Sequence, residues 1–262
     1  MELFDSGGDG PPVLFLHGAL VDRTLWDPVI DLLPGRRCLA PTLPLGSHAE
    51  PVENRAALSP VSVADMVADL IADEIARLGL TDLTVVANDT GGALLQLLLT
   101  RRPEGIAKVV FTPCDALEVF PPAIFKPLFL AGRSPYALAA GIAPLHVAPL
   151  RRLPVAFGWL SKRASDETLA RWAAPALGNF EIVRDVSHFM RACSASLLLD
   201  AAPKLAAFEG EVAFCWPAAD RCYKVDLGRR LAAQFRDARF VEITDSYSFV
   251  PIDRPDALAP LI

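Results

Sequence analysis

The residues that could do chemistry begin with Asp89, in the run Val85-Val86-Ala87-Asn88-Asp89-Thr90-Gly91-Gly92-Ala93-Leu94. An apolar strand ends at the aspartate and an apolar helix begins just beyond it. This is the setting of a nucleophile elbow, a sharp, strained strand-to-helix turn, with aspartate where serine is more usual. Such a turn needs small residues two positions to either side, and Ala87 and Gly91 meet that need. The helix N-terminus offers unpaired N–H groups and a partial positive charge, so a carboxylate there stays ionised and faces whatever enters. Asp89 could then attack carbon or move protons. The same ten residues also suit a tight turn whose aspartate merely caps its helix.

A second motif, Val13-Leu14-Phe15-Leu16-His17-Gly18, reads as a buried strand ending in His-Gly. With these two motifs in this order, the chain resembles the α/β-hydrolase fold family over nearly its whole length. The resemblance implies that His17 orients an oxyanion loop and that the backbone N–H groups of Ala19 and Thr90 are the oxyanion donors. It implies that Asp220, just past a late strand in Trp216-Pro217-Ala218-Ala219-Asp220-Arg221, is the acid of the triad. Asp115, just past an earlier strand, is a second candidate for that place. The family's Asp-Ser-Gly-His-Phe pattern aligns with Asp245-Ser246-Tyr247-Ser248-Phe249, which puts Ser248 where the histidine is expected. A serine hydroxyl is no general base near neutral pH. An aspartate nucleophile needs no base to make an alkyl ester, but water must be activated to open that ester. His48, on the loop after a strand end, is the candidate replacement base; His146 and His188 fall further along the chain.

Aspartate-nucleophile members of the family are mainly haloalkane dehalogenases and epoxide hydrolases, and the chain is similar to both. It departs from both as well. Thr90 stands in place of the halide-binding Trp, Ala19 in place of the Asn that follows His-Gly, and Leu20 in place of the proline of His-Gly-X-Pro. Epoxide hydrolases use two cap tyrosines, and only Tyr136 lies in the segment expected to be the cap. Three functions follow from the resemblance. One is an enzyme on a small apolar molecule with a rewired site. Another is a non-hydrolytic lyase, isomerase or cyclase in which Asp89 moves protons. The third is a ligand-binding protein that has lost hydrolysis.

The elements that must position these residues follow from hydrophobic periodicity. Strands are expected at Glu2–Phe4, Val13–Leu16, Arg37–Ala40, Leu83–Ala87, Lys108–Thr112, Val212–Trp216 and Arg239–Ile243. Helices are expected at Leu25–Leu33, Val61–Leu78, Gly91–Thr100 and Val225–Phe235, with a short last helix from Arg254. The alternation predicts an α/β fold with a mostly parallel, doubly wound sheet. No clear strand appears from Pro113 to about Leu205. A helical cap, or lid, is therefore expected over 115–205, inserted after a central strand, with 1–114 and 206–262 forming the core.

Composition sets outer bounds. The 262 residues are 52% hydrophobic and 21% charged, as a heavily buried parallel sheet requires. A net charge of −6 argues against nucleic acid or an anionic membrane as partner and for a small-molecule substrate or ligand. The five cysteines show no zinc-ligand spacing, so neither metal nor other cofactor is expected, and free thiols suit a cytoplasmic location. The opening residues lack the pattern of a secretion signal. Lys126, Arg133, His146 and several prolines interrupt the apolar stretch from Ala123 to Leu150, so it is not expected to span a membrane. Oligomeric state is not legible.

Overall fold

The structure, a computed structural model, describes residues 2–80 and 82–262. These residues form a seven-stranded sheet from β1 (Leu3–Asp5), β2 (Pro12–Leu16), β3 (Arg37–Pro41), β4 (Leu83–Asp89), β5 (Ile106–Cys114), β6 (Glu211–Pro217) and β7 (Arg239–Ile243). The strand order is β1-β3-β2-β4-β5-β6-β7. Every neighbouring pair is parallel except β1 with β3, where the short edge strand runs back along its partner.

The period-2 alternation of the strands divides the core in two. Leu14, Leu16, Val85, Ala87, Val109, Phe111, Phe214 and Trp216 face one layer of helices. Val13, Phe15, Val86, Val110, Ala213 and Cys215 face the other. Helices α1 (Pro60–Leu78) and α2 (Thr90–Arg101) cover the first face. Helix α1 shows why such segments start and stop where they do. Ser59 and Ser62 form a capping box at its N-terminus, and Gly79 at φ 62° closes its C-terminus in the left-handed region.

Between β5 and β6 the chain makes helices α3 (Lys126–Ala131), α4 (Pro135–Ile142), α5 (Asp166–Gly178), α6 (Phe180–Ala192) and α7 (Ala195–Ala201), and among the described residues no strand. Helix α8 (Val225–Ala232) then links β6 to β7. No helix of the described residues is long and apolar enough to cross a membrane.

Two expected helices are shorter than their periodicity suggested. Leu25–Leu33 is a 3-10 turn, Arg23–Trp26, running into one α-turn, Asp27–Ile30. Asp22 caps the first piece by accepting from the Thr24 N–H, and Pro28, which has no N–H to give, starts the second. The segment after Arg254 is likewise a single turn, Pro255–Leu258, preceded by another, Val250–Asp253.

The order of strands reverses between β2 and β4. The chain fills one side of β2 with β3 and β1, then crosses to build β4 through β7 on the other. Open α/β sheets bind ligands at the carboxyl ends of the strands flanking such a point. His17, Gly18 and Ala19 follow β2, and Asp89 ends β4.

Candidate active site

Asp89 sits at the turn from β4 to α2 with φ 55° and ψ −129°, a conformation that costs a non-glycine residue about 1–3 kcal/mol. Its surroundings hold it there. A Cβ on Gly91 would stand 2.3 Å from the Leu16 carbonyl oxygen, and one on Gly18 would stand 2.2 Å from Asp89 Oδ2. Both positions must be glycine for β2, β4 and α2 to meet this closely. Asn88 fastens the preceding residue, its Nδ2 donating to Thr112 Oγ1 at 2.8 Å, the Pro113 carbonyl at 3.1 Å and the Ser248 carbonyl at 2.8 Å.

Asp89 occupies the N-cap position of α2, yet its side chain makes no capping bond there. The carboxylate turns instead toward the backbone N–H groups of Thr90 and Ala19, which help hold its pKa down. Its close partner is Tyr223, whose hydroxyl donates to Oδ1. A shift in the pairing of β4 with β5 between Ala87 and Asp89 brings Asp115 alongside, and the Asp115 N–H donates to the Asp89 carbonyl at 3.4 Å. The Tyr223 oxygen is 3.3 Å from Asp115 Oδ1, and Thr90 Oγ1 donates to Asp115 Oδ2 at 3.2 Å.

Tyr223 is held by the loop after β6. Asp220 Oδ1 accepts from the N–H groups of Cys222 at 2.8 Å and Tyr223 at 2.7 Å, and from Ser248 Oγ at 3.1 Å. Trp216 Nε1 donates to the Tyr223 carbonyl at 2.7 Å. Asp220 and Ser248 are thus neighbours, and Asp220 carries the loop whose next aromatic reaches Asp89. Oδ2 of Asp220 is buried without a partner.

The electrostatics follow from burial. Asp89 is raised to about 6, chiefly by desolvation, against the bonds from Tyr223, Thr90 and Ala19. Desolvation, followed by the Asp89 charge, pushes Asp115 well above the ordinary carboxyl range. Desolvation also lifts Asp220 to about 7 and the Tyr223 phenol well above its usual value. Near neutral pH the pattern is an ionised Asp89, a protonated Asp115 and a neutral phenol between them. A hydroxyl has one proton to give. Tyr223 gives it to Asp89 and accepts from Asp115.

Asp89, Thr90, Asp115 and Tyr223 line one side of a cavity of about 180 Å³, which Asp220 and Ser248 do not reach. The other walls are apolar, with Leu20 from the loop after β2 and Phe125, Phe129, Leu145, Phe157 and Met190 from the helical segment. Leu153 and Val155 line the cavity yet are 42% and 58% exposed, so its mouth lies beside them.

The remaining expected residues are placed elsewhere. His17 is fully buried. Its Nδ1 lies 2.8 Å from the Gly18 carbonyl and its Nε2 accepts from the Leu43 N–H at 2.8 Å, so the ring joins the loops after β2 and β3. Burial lowers its pKa to about 4, which keeps it neutral. His48 does not line the cavity. Its Nδ1 accepts from the Gly46 N–H at 3.2 Å, and its Nε2 is 3.2 Å from Asp185 Oδ2 on α6. Both ring nitrogens are therefore engaged away from Asp89. Tyr136 is 75% exposed, its ring 5.1 Å from that of Phe180, and it too stands outside the cavity lining, as do His146 and His188. Tyr223 is the residue that sequence reasoning passed over. The available signal was an aromatic with a polar tip three positions after Asp220, at the mouth of a strand.

A mostly parallel sheet with a sharp strand-to-helix turn at the switch point and backbone donors beside it is the frame of the α/β hydrolases. This chain belongs to the alpha/beta hydrolase family, whose model matches residues 13–261. It is similar to a haloalkane dehalogenase of Mesorhizobium japonicum, 32% identical over 113 residues, or 42% of this chain. That match spans only 34% of the relative's length. Among solved structures, the haloalkane dehalogenase DbeA of Bradyrhizobium elkani aligns over 98% of this chain and 94% of its own, with TM-score 0.77 and 21% identity. A thermophilic esterase of Thermogutta terrifontis aligns over 99% and 90%, with TM-score 0.73 and 18% identity. At these identities the likeness is one of fold. One frame carries proteins named for different reactions, so chemistry must be argued from the site.

Proposed function

We propose that the protein is an enzyme that acts on a small apolar molecule, with Asp89 as its reacting carboxylate, either as nucleophile or as proton-transfer group. The observation that carries this reading is the position of Asp89, on the polar side of an otherwise apolar cavity between the sheet and the helical segment. The helices of 115–205 serve as its cap. They exclude water and set the size of what enters.

In this reading Asp220 stands where the family's acid stands, Ser248 stands where its histidine would, and the site lacks the usual base. Tyr223 fills the gap between Asp220 and Asp89. It cannot replace the base, because its raised pKa makes it a donor. Hydrolysis through an alkyl ester would then stop at the ester. The bond from Tyr223 to Oδ1 also covers one of the two oxygens that could attack carbon, which favours proton transfer over displacement.

Either role leaves an ionised carboxylate that a small electrophile can alkylate. Incubation with a short epoxide or alkyl bromide should add one adduct to the intact-protein mass. The adduct should map to Asp89 and be absent in Asp89→Asn. Halide release should stop at about one equivalent, since a missing general base typically costs 100- to 10,000-fold. Sustained halide release that depends on Asp89 would show a complete hydrolytic site. No adduct with any probe that fits the cavity would remove Asp89 as a nucleophile.

A further inference from the structure

Three polar side chains face the cavity side by side. They come from the ends of β4 and β5 and from the loop after β6, and the Tyr223 hydroxyl stands between the carboxyl groups of Asp89 and Asp115. The cavity supplies a base and a donor pair from opposite members of one hydrogen-bonded chain, with apolar walls around them. We propose that Tyr223 and Asp115 form an oxyanion-holding pair and Asp89 the facing base, so that the ligand is a small apolar ketone or aldehyde with a C–H beside its carbonyl, and the reaction is enolisation. This rests on the assignment of Asp89 as the reacting carboxylate and deepens it.

The steps balance without a co-reactant. The entering carbonyl oxygen takes the Tyr223 O–H in place of Asp89 Oδ1, and Asp115 continues to donate to the phenol oxygen. Freed of that bond, Asp89 accepts the proton from the carbon next to the carbonyl. The C–H electron pair becomes the C=C bond, and the carbonyl π pair moves onto oxygen, where the Tyr223 hydroxyl holds it. Asp89 then returns the proton to the same carbon, or to a conjugated one. The first outcome exchanges hydrogen and the second shifts a double bond. A carboxylate facing a phenol and a neutral carboxylic acid is a physical route to such chemistry near pH 7, because each group is held in the state it needs.

Three observations fit this role. Asp115 and Tyr223 are buried among apolar groups with, among the described residues, no cation near them, which keeps both as donors. The Ala19 and Thr90 N–H groups lean on Asp89 and keep it ionised while its neighbour is not. The cavity volume is of the order that holds one six-membered ring, since a void of about 150 Å³ accommodates benzene.

Cyclohexanone in D₂O is the probe. The full-length protein should incorporate deuterium beside the carbonyl faster than buffer does. Tyr223→Phe should cut the rate by about 100-fold, the typical loss for one oxyanion donor. Asp89→Asn should abolish it, and Asp115→Asn should reduce it by a smaller factor. The pH profile separates this role from scaffolding. The rate should rise with pH through the Asp89 titration, about 6. Because the Tyr223 bond lowers that pKa, Tyr223→Phe should move the rise to higher pH. The titratable groups that bear on Asp89 are Cys114 at the end of β5, Asp115 just after it, and Asp220, Cys222 and Tyr223 after β6.

The ¹³C carbonyl resonance of bound cyclohexanone should lie downfield of free ketone in the wild type and move back toward it in Tyr223→Phe. That readout survives even if a variant turns over too slowly to follow. Epoxide labelling of Asp89 with no deuterium exchange would overturn the enolisation proposal and leave Asp89 as the reacting carboxylate. Exchange that persists unchanged in Tyr223→Phe would overturn the part given to Tyr223. Neither labelling nor exchange would remove both readings.

Discussion

Asp185 and the cluster of Asp89, Asp115 and Asp220 are all buried, and they are buried in opposite ways. Asp185 on α6 is fully enclosed, and its oxygens are saturated. The Arg55 Nε–H donates to Oδ1, while the Val52 N–H at 2.9 Å and His48 Nε2 at 3.2 Å serve Oδ2. Asp89, Asp115 and Asp220 are also buried, yet among the described residues no lysine or arginine pairs with them. A buried charge with a cation and a full set of donors holds chain segments together. Buried carboxyls without a cation change their protonation instead, and such perturbed groups concentrate where chemistry is done. The contrast separates a structural anchor from the cluster proposed to react, inside one molecule.

The largest effect should come from breaking the anchor. Arg55→Ala leaves Asp185 enclosed with a neutral histidine and one N–H. The loss should be about 3 kcal/mol of unfolding free energy, read from urea titrations. If the loss is below about 1 kcal/mol, water reaches Asp185 and the anchor is not what separates the two groups.

The reacting cluster should respond in the other direction. Asp220 titrates near about 7 in the folded chain against 3.8 as its reference value. Between those values the folded state holds a proton that the unfolded state has lost, so stability falls as pH rises through that window. By pH 8 the burden is roughly 4 kcal/mol. Asp220→Asn keeps the acceptor at Oδ1 but leaves an unpartnered amide donor, which returns about 1–3 kcal/mol of it. The variant should therefore be about 2 kcal/mol more stable than wild type at pH 8, and the gain should shrink as the pH is lowered toward 4. Denaturation midpoints at several pH values test this, and a variant less stable than wild type at pH 8 would reverse the assignment.

His48→Ala removes a single partner from Asp185 and should cost about 1 kcal/mol, without changing epoxide labelling of Asp89. A fall in labelling would tie His48 to the cavity after all. The smallest effect belongs to Tyr136→Ala. This exposed ring should change stability by no more than about 0.5 kcal/mol and leave labelling and deuterium exchange untouched.

These residues also show what the sequence could and could not convey. The sheet was legible because β2, β4, β5 and β6 carry dense apolar runs, and the turns beside them carry glycine or proline. The placement of Asp89 at a strand end was legible for the same reason, since the signal is local. What the side chains touch was not. His48 was placed on a loop after a strand end, and it is on one, but its ring turns toward a residue 137 positions away. Tyr136 was placed in the helical segment, and it is there, but it faces solvent. Tyr223 reaches a partner 134 positions away through a loop whose shape is set by Asp220 and Trp216. Such contacts depend on tertiary packing, which periodicity and spacing do not encode. The Leu25–Leu33 segment failed for a local reason, because a capping aspartate and a proline divide what hydrophobic spacing joins.

The helical segment is fastened to the rest of the chain at several places, among them Trp172, which is bonded to Ser47 and Thr24. On one side Asp185 ties α6 to the loop bearing His48, Val52 and Arg55. On the other, Asp253 accepts from Ser161 Oγ at 2.7 Å and from the N–H groups of Lys162 and Arg163. As the cap proposed above, a segment tied along several seams does not swing open as a door. Traffic must pass where the seams leave a gap, beside Leu153 and Val155, and it passes by the yielding of greasy side chains rather than by a hinge. Under the proposed function, admission to the cavity is then a matter of girth and wetness, and its apolar walls disfavour a charged ligand.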